Sequence, residues 1–280
     1  MANTVNRISK EKPIDDAIII EEARRIVEEG SKQNILLRIL GAVAVAIHST
    51  GAERVSEKLQ RLGDEKQRFS DIDLIACSKQ RYEVRRLLED QLGYTADAST
   101  LALYGKSRLI YFRPNQLFHI DVFFDKLEFS HDVVFCAKSG ESRLSLDSPT
   151  ISLADIILEK MQIHEINEKD VKDAIVLLRA HRIGREENAE VIDAKYIARV
   201  LAGDWGFWYD ATSNLDKVKK SARGYVSGGL LTSEEGEDVT KKVDEIMSCI
   251  EQEEKSKEWR KREKKGTKKA WWCAVEEISR

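Results

Sequence analysis

At 280 residues the chain is long enough for one large domain or two modest ones, each with a proper core. Its 42% hydrophobic and 34% charged residues describe a soluble globular protein rich in surface ions. A net charge of -3 excludes a global pull toward nucleic acid or anionic membrane, no apolar run approaches the roughly 20 residues that span a bilayer, and the polar N-terminus does not read as a signal peptide.

In chain order, residues 14–30 open on acids after Pro13 and end at Gly30, with Ile18, Ala23, Ile26 and Val27 marking one face of an amphipathic helix. Residues 35–40 fit a buried strand stopping at Gly41, and the small and β-branched residues 42–47 begin a closely packed helix. A polar segment leads into Asp71-Ile72-Asp73-Leu74, the start of the next strand. Residues 80–91 read as a helix ending at Gly93. Strands at 107–113 and 117–124, with a turn at Pro114-Asn115, form a hairpin on which His119, Asp121 and Phe123 share one face. Residues 129–135 and 143–146 add short strands or loops. The period changes after Pro149. Ser152-Leu153-Ala154-Asp155 has capping-box-like spacing, and helices follow over 153–163, 169–180 and 192–202. The expected architecture is an α/β (α+β) mixed-sheet domain over 1–150, followed by an all-helical C-terminal domain over 151–280.

The chemistry is expected at the second strand. Side chains on a strand alternate faces, so Asp71 and Asp73 project together while Ile72 and Leu74 face the core. Carboxylates so close raise each other's pKa unless something positive sits between them, and carboxylate oxygens suit Mg²⁺. Asp121 is a further acid on a mainly apolar strand, where an unpaired charge is costly. For want of metal-ligand spacing, His48 and His119 read as hydrogen-bonded structural histidines. Cys77, Cys136, Cys249 and Cys273 are widely spaced, which argues against a zinc site and a disulfide framework and for a reduced, cytoplasmic protein. Residues 251–269 carry a dense Lys/Arg run, read either as a solvated charged helix or as a phosphate-contacting arm with Trp259, Trp271 and Trp272 as stacking surfaces. The segment Asp204-Trp205-Gly206-Phe207-Trp208 is distinctive but suggests no mechanism.

An apolar strand ending in Leu40-Gly41-Ala42, then Asp71-Ile72-Asp73, then Asp121 on a later strand, resembles the nucleotidyltransferase superfamily that includes DNA polymerase β. Leu158-Glu159-Lys160-Met161 and Lys169-Asp170-Val171-Lys172-Asp173 extend the likeness to its small bacterial and archaeal branch with the AbiEii-type toxin enzymes. The resemblance spans residues 30–180 and implies transfer of a nucleoside monophosphate from a nucleoside triphosphate to an acceptor, which would be RNA, a protein or a small molecule. It implies two Mg²⁺ ions held by Asp71, Asp73 and Asp121, with Asp121 also taking the acceptor's proton. It further implies that Gly41 and Ala42 lie beneath the triphosphate, that Lys160 offers a point charge to the phosphates, and that Asp170 orients that lysine or the acceptor. Ala42 replaces the usual Gly or Ser, a loss for which Ser49 or Ser70 would compensate. The long step from Gly41 to Asp71 implies an inserted loop whose Arg54, Lys58, Arg61, Lys66 and Arg68 hold substrate or stay solvated. The alternative is a catalytically silent relative that binds nucleotide or nucleic acid.

Overall fold

The computed structural model describes residues 15–63, 68–69, 71–98, 101, 105, 108–112, 118–137 and 139–274. The expected turn residues Pro114 and Asn115, together with Lys66 and Ser70, lie outside that set. Helix α1 (Asp16–Ser31) is capped by Asp15, whose side chain accepts from the Ala17 amide, and buries Ile19, Ala23, Ile26 and Val27. Ile18, expected on that face, is more than half exposed; Ile19 takes its place one position on. Strand β1 (Leu37–Leu40) runs directly into α2 (Gly41–Ile47). The expected loop after it contains a short helix, α3 (Glu53–Leu59), which buries Val55 and Leu59.

Strand β2 (Asp71–Ala76) is followed by α4 (Arg81–Arg86), continued by a wider π turn over Leu87–Gln91. The short β3 (Thr95–Ala96), then β4 (Arg108–Phe112) and β5 (His119–Phe124), complete a five-stranded mixed sheet in the order β1-β2-β5-β4-β3. β4 and β5 pair antiparallel as the expected hairpin, while β2 and β5 pair parallel at the centre. A small antiparallel pair, β6 (Lys126–Glu128) and β7 (Asp132–Val134), extends from β5.

Beyond residue 150 helices dominate: α5 (Leu153–Met161), α6 (Glu168–Ala180), α7 (Ala194–Gly203), α8 (Trp205–Ser227), α9 (Ser233–Gln252) and α10 (Lys257–Glu263). Ser152 caps α5 as its spacing implied, accepting from the Asp155 amide. This half is not all-helical, because β8 (Arg182–Gly184) and β9 (Val191–Asp193) form a two-stranded parallel sheet ahead of α7. One continuous hydrophobic core runs from Ile19 to Ile250 and includes residues of both halves. Arg54 pairs with Glu235 of α9, and the Arg61 Nε donates to both Asp173 oxygens at 3.0 Å, so the α3 segment is tied to the helices. Two of the cations expected to hold substrate or stay solvated are therefore neutralised within the fold.

The segment after α10 is docked. The Trp271 Nε1–H donates to Asp210 Oδ1 at 3.0 Å, Trp272 stacks on His164 with ring centroids 3.8 Å apart, and the Cys273 amide donates to the Ser130 carbonyl at 3.0 Å. Asp204-Trp205-Gly206-Phe207-Trp208 is the seat for this docking. Asp204 caps α8, and a Cβ at Gly206 would stand 2.6 Å from the Trp271 carbonyl oxygen, so only glycine leaves room. Trp271 and Trp272 serve packing here instead of presenting free stacking faces.

No helix among the described residues is long and apolar enough to cross a membrane. Cys77 and Cys136 form a disulfide, which corrects the expectation that all four cysteines stay unpaired and removes that support for a reduced compartment. The pair joins the end of β2 to the loop after β7, an approach across 59 residues that cysteine spacing does not reveal. Its loss should lower the unfolding free energy by about 2–4 kcal/mol, measured as denaturant unfolding with and without dithiothreitol and for Cys136→Ser.

A buried histidine pair lies where the halves meet. His48 Nε2 shares a hydrogen bond with Thr150 Oγ1 at 2.6 Å, and the His181 Nε2–H donates to the His48 carbonyl at 2.9 Å. Burial, reinforced by the charges of His181 and Arg24, pushes the His48 imidazole down to about 4. The native state keeps it neutral, while the unfolded chain takes up a proton near pH 6.5. Its contribution is therefore complete above pH 6.5 and is lost as pH falls toward 4, by about 3 kcal/mol over that interval. Urea unfolding at pH 7 and pH 4 should show this increment, and His48→Gln should remove it.

Candidate active site

The parallel register of β2 and β5 sets Asp71 beside His119 and Asp73 beside Asp121. Strand alternation places these four side chains on one face, while Ile72, Leu74, Ile120 and Val122 on the other are completely buried. The three acids, from two separate stretches of sequence, therefore converge. His119 Nε2 stands 3.6 Å from Asp71 Oδ2 and 3.6 Å from Asp121 Oδ2. Asp121 is 1% exposed and Asp71 34%, so the cluster opens to solvent on the Asp71 side.

Arg108, at the start of β4, forms an ion pair with Asp121 and lies over the Phe123 ring at 4.9 Å. Asp73 has no hydrogen bond or ion pair through its side chain among the described residues. Burial, then the charges of Asp71, Asp121 and Glu159, push its carboxyl well above the usual range, and Arg108 only partly opposes them. Donor atoms of Asp71, His119 and Asp121 all lie within 4.8 Å of one another. Hard oxygen donors, one imidazole nitrogen and the adjacent Asp73 carboxyl together fit a divalent cation. The Cys77, Asp125 and Cys136 group also brings metal-ligating atoms together, but its two sulfurs are bonded to each other.

Gly41 is the hinge between β1 and the site. Its φ is +70°, and a Cβ there would stand 2.5 Å from Asp73 Oδ2. Both the left-handed backbone and the close approach demand glycine. Its amide donates to Glu159 Oε2 at 3.1 Å, so this N–H, which the resemblance aimed at a triphosphate, is engaged by α5. Ala42 follows in the first turn of α2. Ser49 lies past the opposite end of that helix and donates to the Ala46 carbonyl at 2.7 Å, so it does not compensate for Ala42 at the glycine turn. Ser70 falls outside the described residues.

Lys160 follows Glu159 on α5. Its Nζ is 3.0 Å from Asp170 Oδ1, 3.1 Å from Asp173 Oδ2 and 3.9 Å from Glu159 Oε1. Burial works against that ammonium, yet Asp170, Asp173 and Glu159 outweigh it and hold its pKa above the ordinary lysine value. Burial likewise opposes the Asp170 charge, but Lys160, Arg61 and Asn167 together keep its pKa below the usual one. Asp170 thus pairs with Lys160 within a cage of carboxylates. Glu159, with burial raising its pKa against the pull of Lys160 and the Gly41 amide, links the two clusters. Sequence reasoning missed Glu159 and Arg108, and it did not reveal that His119 stands between Asp71 and Asp121. The available signal for Glu159 was a charge within the apolar run of α5, every residue of which is buried.

No protein-family model and no curated protein sequence matches the chain. A similar solved structure is that of an antigenic nucleotidyltransferase-like protein from Paracoccidioides brasiliensis, 14% identical, aligned over 78% of this chain and 94% of its own with a TM-score of 0.40. That similarity is too low to assign either fold or activity.

Gly41→Ala should destabilise the chain by about 1–3 kcal/mol more than Gly51→Ala, since Gly51 shares a positive φ but has nothing within 4 Å of its Cβ position. The excess should disappear when both are compared in an Asp73→Ala background, with urea unfolding as the measurement.

Proposed function

We propose that the chain is a divalent-metal-dependent nucleotidyltransferase that moves a nucleoside monophosphate from a triphosphate to a hydroxyl acceptor. The observation that carries this reading is the convergence of Asp71, Asp73 and Asp121 on one face of two paired parallel strands. Two Mg²⁺ ions would neutralise the charge that builds on the attacking and leaving oxygens. Asp71 and Asp73 would hold both, and Asp121 would hold the ion nearer the acceptor. The acceptor hydroxyl loses its proton to Asp121 as its oxygen bonds to the α-phosphorus, and the bond to pyrophosphate breaks on the opposite side. Arg108 beside Asp121 supplies a planar donor for triphosphate oxygens. Lys160 and Asp170 fix α5 against α6, and through Glu159 they fix the Gly41 turn.

In this reading residues 1–150 are the catalytic unit, and 151–280 form a mainly helical unit that walls the cleft. The motif order favours the small bacterial and archaeal branch with the AbiEii-type toxins. The exposed cations Lys261, Lys264, Lys265, Lys268 and Lys269 favour RNA over a protein or a small molecule as acceptor. A second reading, a catalytically silent module, draws support from the Gly41 amide engaged by Glu159 and from Lys160 enclosed by acids.

Labelled nucleoside triphosphates with Mg²⁺ should pass label to total RNA, cell protein or a metabolite pool. Asp73→Ala should reduce transfer at least about 100-fold, as loss of a metal ligand exceeds loss of its supporting shell. No transfer from any triphosphate, with nucleotide binding unchanged in Asp73→Ala, would overturn the enzyme reading in favour of the silent module.

A further inference from the structure

We infer that His119 is a metal ligand, and that Asp71, His119 and Asp121 form a mixed carboxylate–imidazole seat for a first-row divalent transition ion. The inference rests on the reading that this face binds a divalent cation, but not on nucleotidyl transfer itself. Its basis is geometric. The Nε2 atom lies 3.6 Å from one oxygen of each flanking carboxylate. An ion with bonds near 2.1 Å sets its ligands about 3.0–3.4 Å apart along the edges of an octahedron or tetrahedron, a few tenths of an ångström inside the spacing found here.

The backbone fixes the set. Asp71 and His119 are register partners on adjacent parallel strands, and Asp121 lies two residues beyond His119 on the same face. The imidazole is largely buried, at 14% exposure, with the Phe112 ring 5.9 Å away, so its orientation is restricted. Asp121 has two oxygens with about four lone-pair directions, enough to serve both Arg108 and an ion. Asp73, the register partner of Asp121, brings a further carboxyl to the same face.

The donor type decides the ion class. Mg²⁺ takes oxygen ligands and retains water, whereas imidazole favours transition ions. Replacing one oxygen donor by nitrogen therefore adds affinity for a transition ion selectively. Every carboxylate site prefers Mn²⁺ to some degree, so the discriminating quantity is the part of that preference that His119 carries.

The test uses the full chain and MnCl₂. Electron paramagnetic resonance counts bound Mn²⁺, pulsed measurements detect coupling to ligand ¹⁴N, and competition gives Mg²⁺ affinity. The wild type should bind Mn²⁺ with nitrogen coupling. His119→Gln should abolish the coupling and weaken Mn²⁺ at least about tenfold, while Mg²⁺ changes less than about threefold. His119→Asp should recover Mn²⁺ binding without coupling, which separates ligand loss from misfolding. Uncoupled Mn²⁺ in the wild type, coupling that survives in His119→Gln, or equal weakening of both ions would overturn the assignment, as would absence of any divalent binding. Nitrogen-coupled Mn²⁺ in a chain without transferase activity would uphold it and dismiss the transfer reading instead.

Discussion

Repulsion among carboxylates sets the terms for the structure around them. Parallel pairing of β2 with β5 leaves Asp71, Asp73 and Asp121 no freedom to separate, because each is held by sheet register and by a buried apolar face behind it. In a medium of low effective dielectric such crowding is costly, and the surrounding residues partly offset it. Arg108 does so for Asp121. For Asp73, Arg108 does so only in part, and burial with three neighbouring acids displaces its titration upward. The core enforces a charge arrangement that protein groups leave incomplete.

The second cluster behaves in the opposite manner. Around Lys160, carboxylates from α6 and a guanidinium from the α3 segment meet in a satisfied network, with Arg61 bonded to Asp173 and Asn167 to Asp170. Removing one member of such a network strands its partner's charge, which makes the network a specific joint between halves more than a source of net stability. Glu159 belongs to both clusters. Its grip on the Gly41 amide transmits the position of α5 to the turn against which Asp73 packs.

What could be read in the sequence was local. Period-two alternation placed Asp71 with Asp73, and the hairpin at β4 and β5 followed from two strand-like runs around a turn signal. The helix starting at Ser152 was legible from its cap. What failed depended on pairings distant in sequence. That His119 stands between Asp71 and Asp121 emerges only once β2 and β5 lie parallel in register. Cys77 and Cys136 are 59 residues apart with no motif between them. Ile18 and Ile19 differ by one helical position, which periodicity alone resolves poorly at a helix start. The α3 and α9 helices carry mostly polar faces, and tertiary packing of a few apolar residues stabilises them where intrinsic pattern is weak.

The docked Trp271 has a consequence for the order of assembly. Asp210 accepts from His131, His164 and Trp271, so one carboxylate gathers the β6–β7 hairpin, the α5–α6 connection and the far segment of the chain. Trp271 is separated from Asp210 by 61 positions. During synthesis the hairpin and α8 are therefore complete while their common seam still lacks its last hydrogen-bond donor and its aromatic cover. The ribosome releases those only several seconds later at usual elongation rates of about 5–20 residues per second. Until then the acid and the two imidazoles of this seam face water.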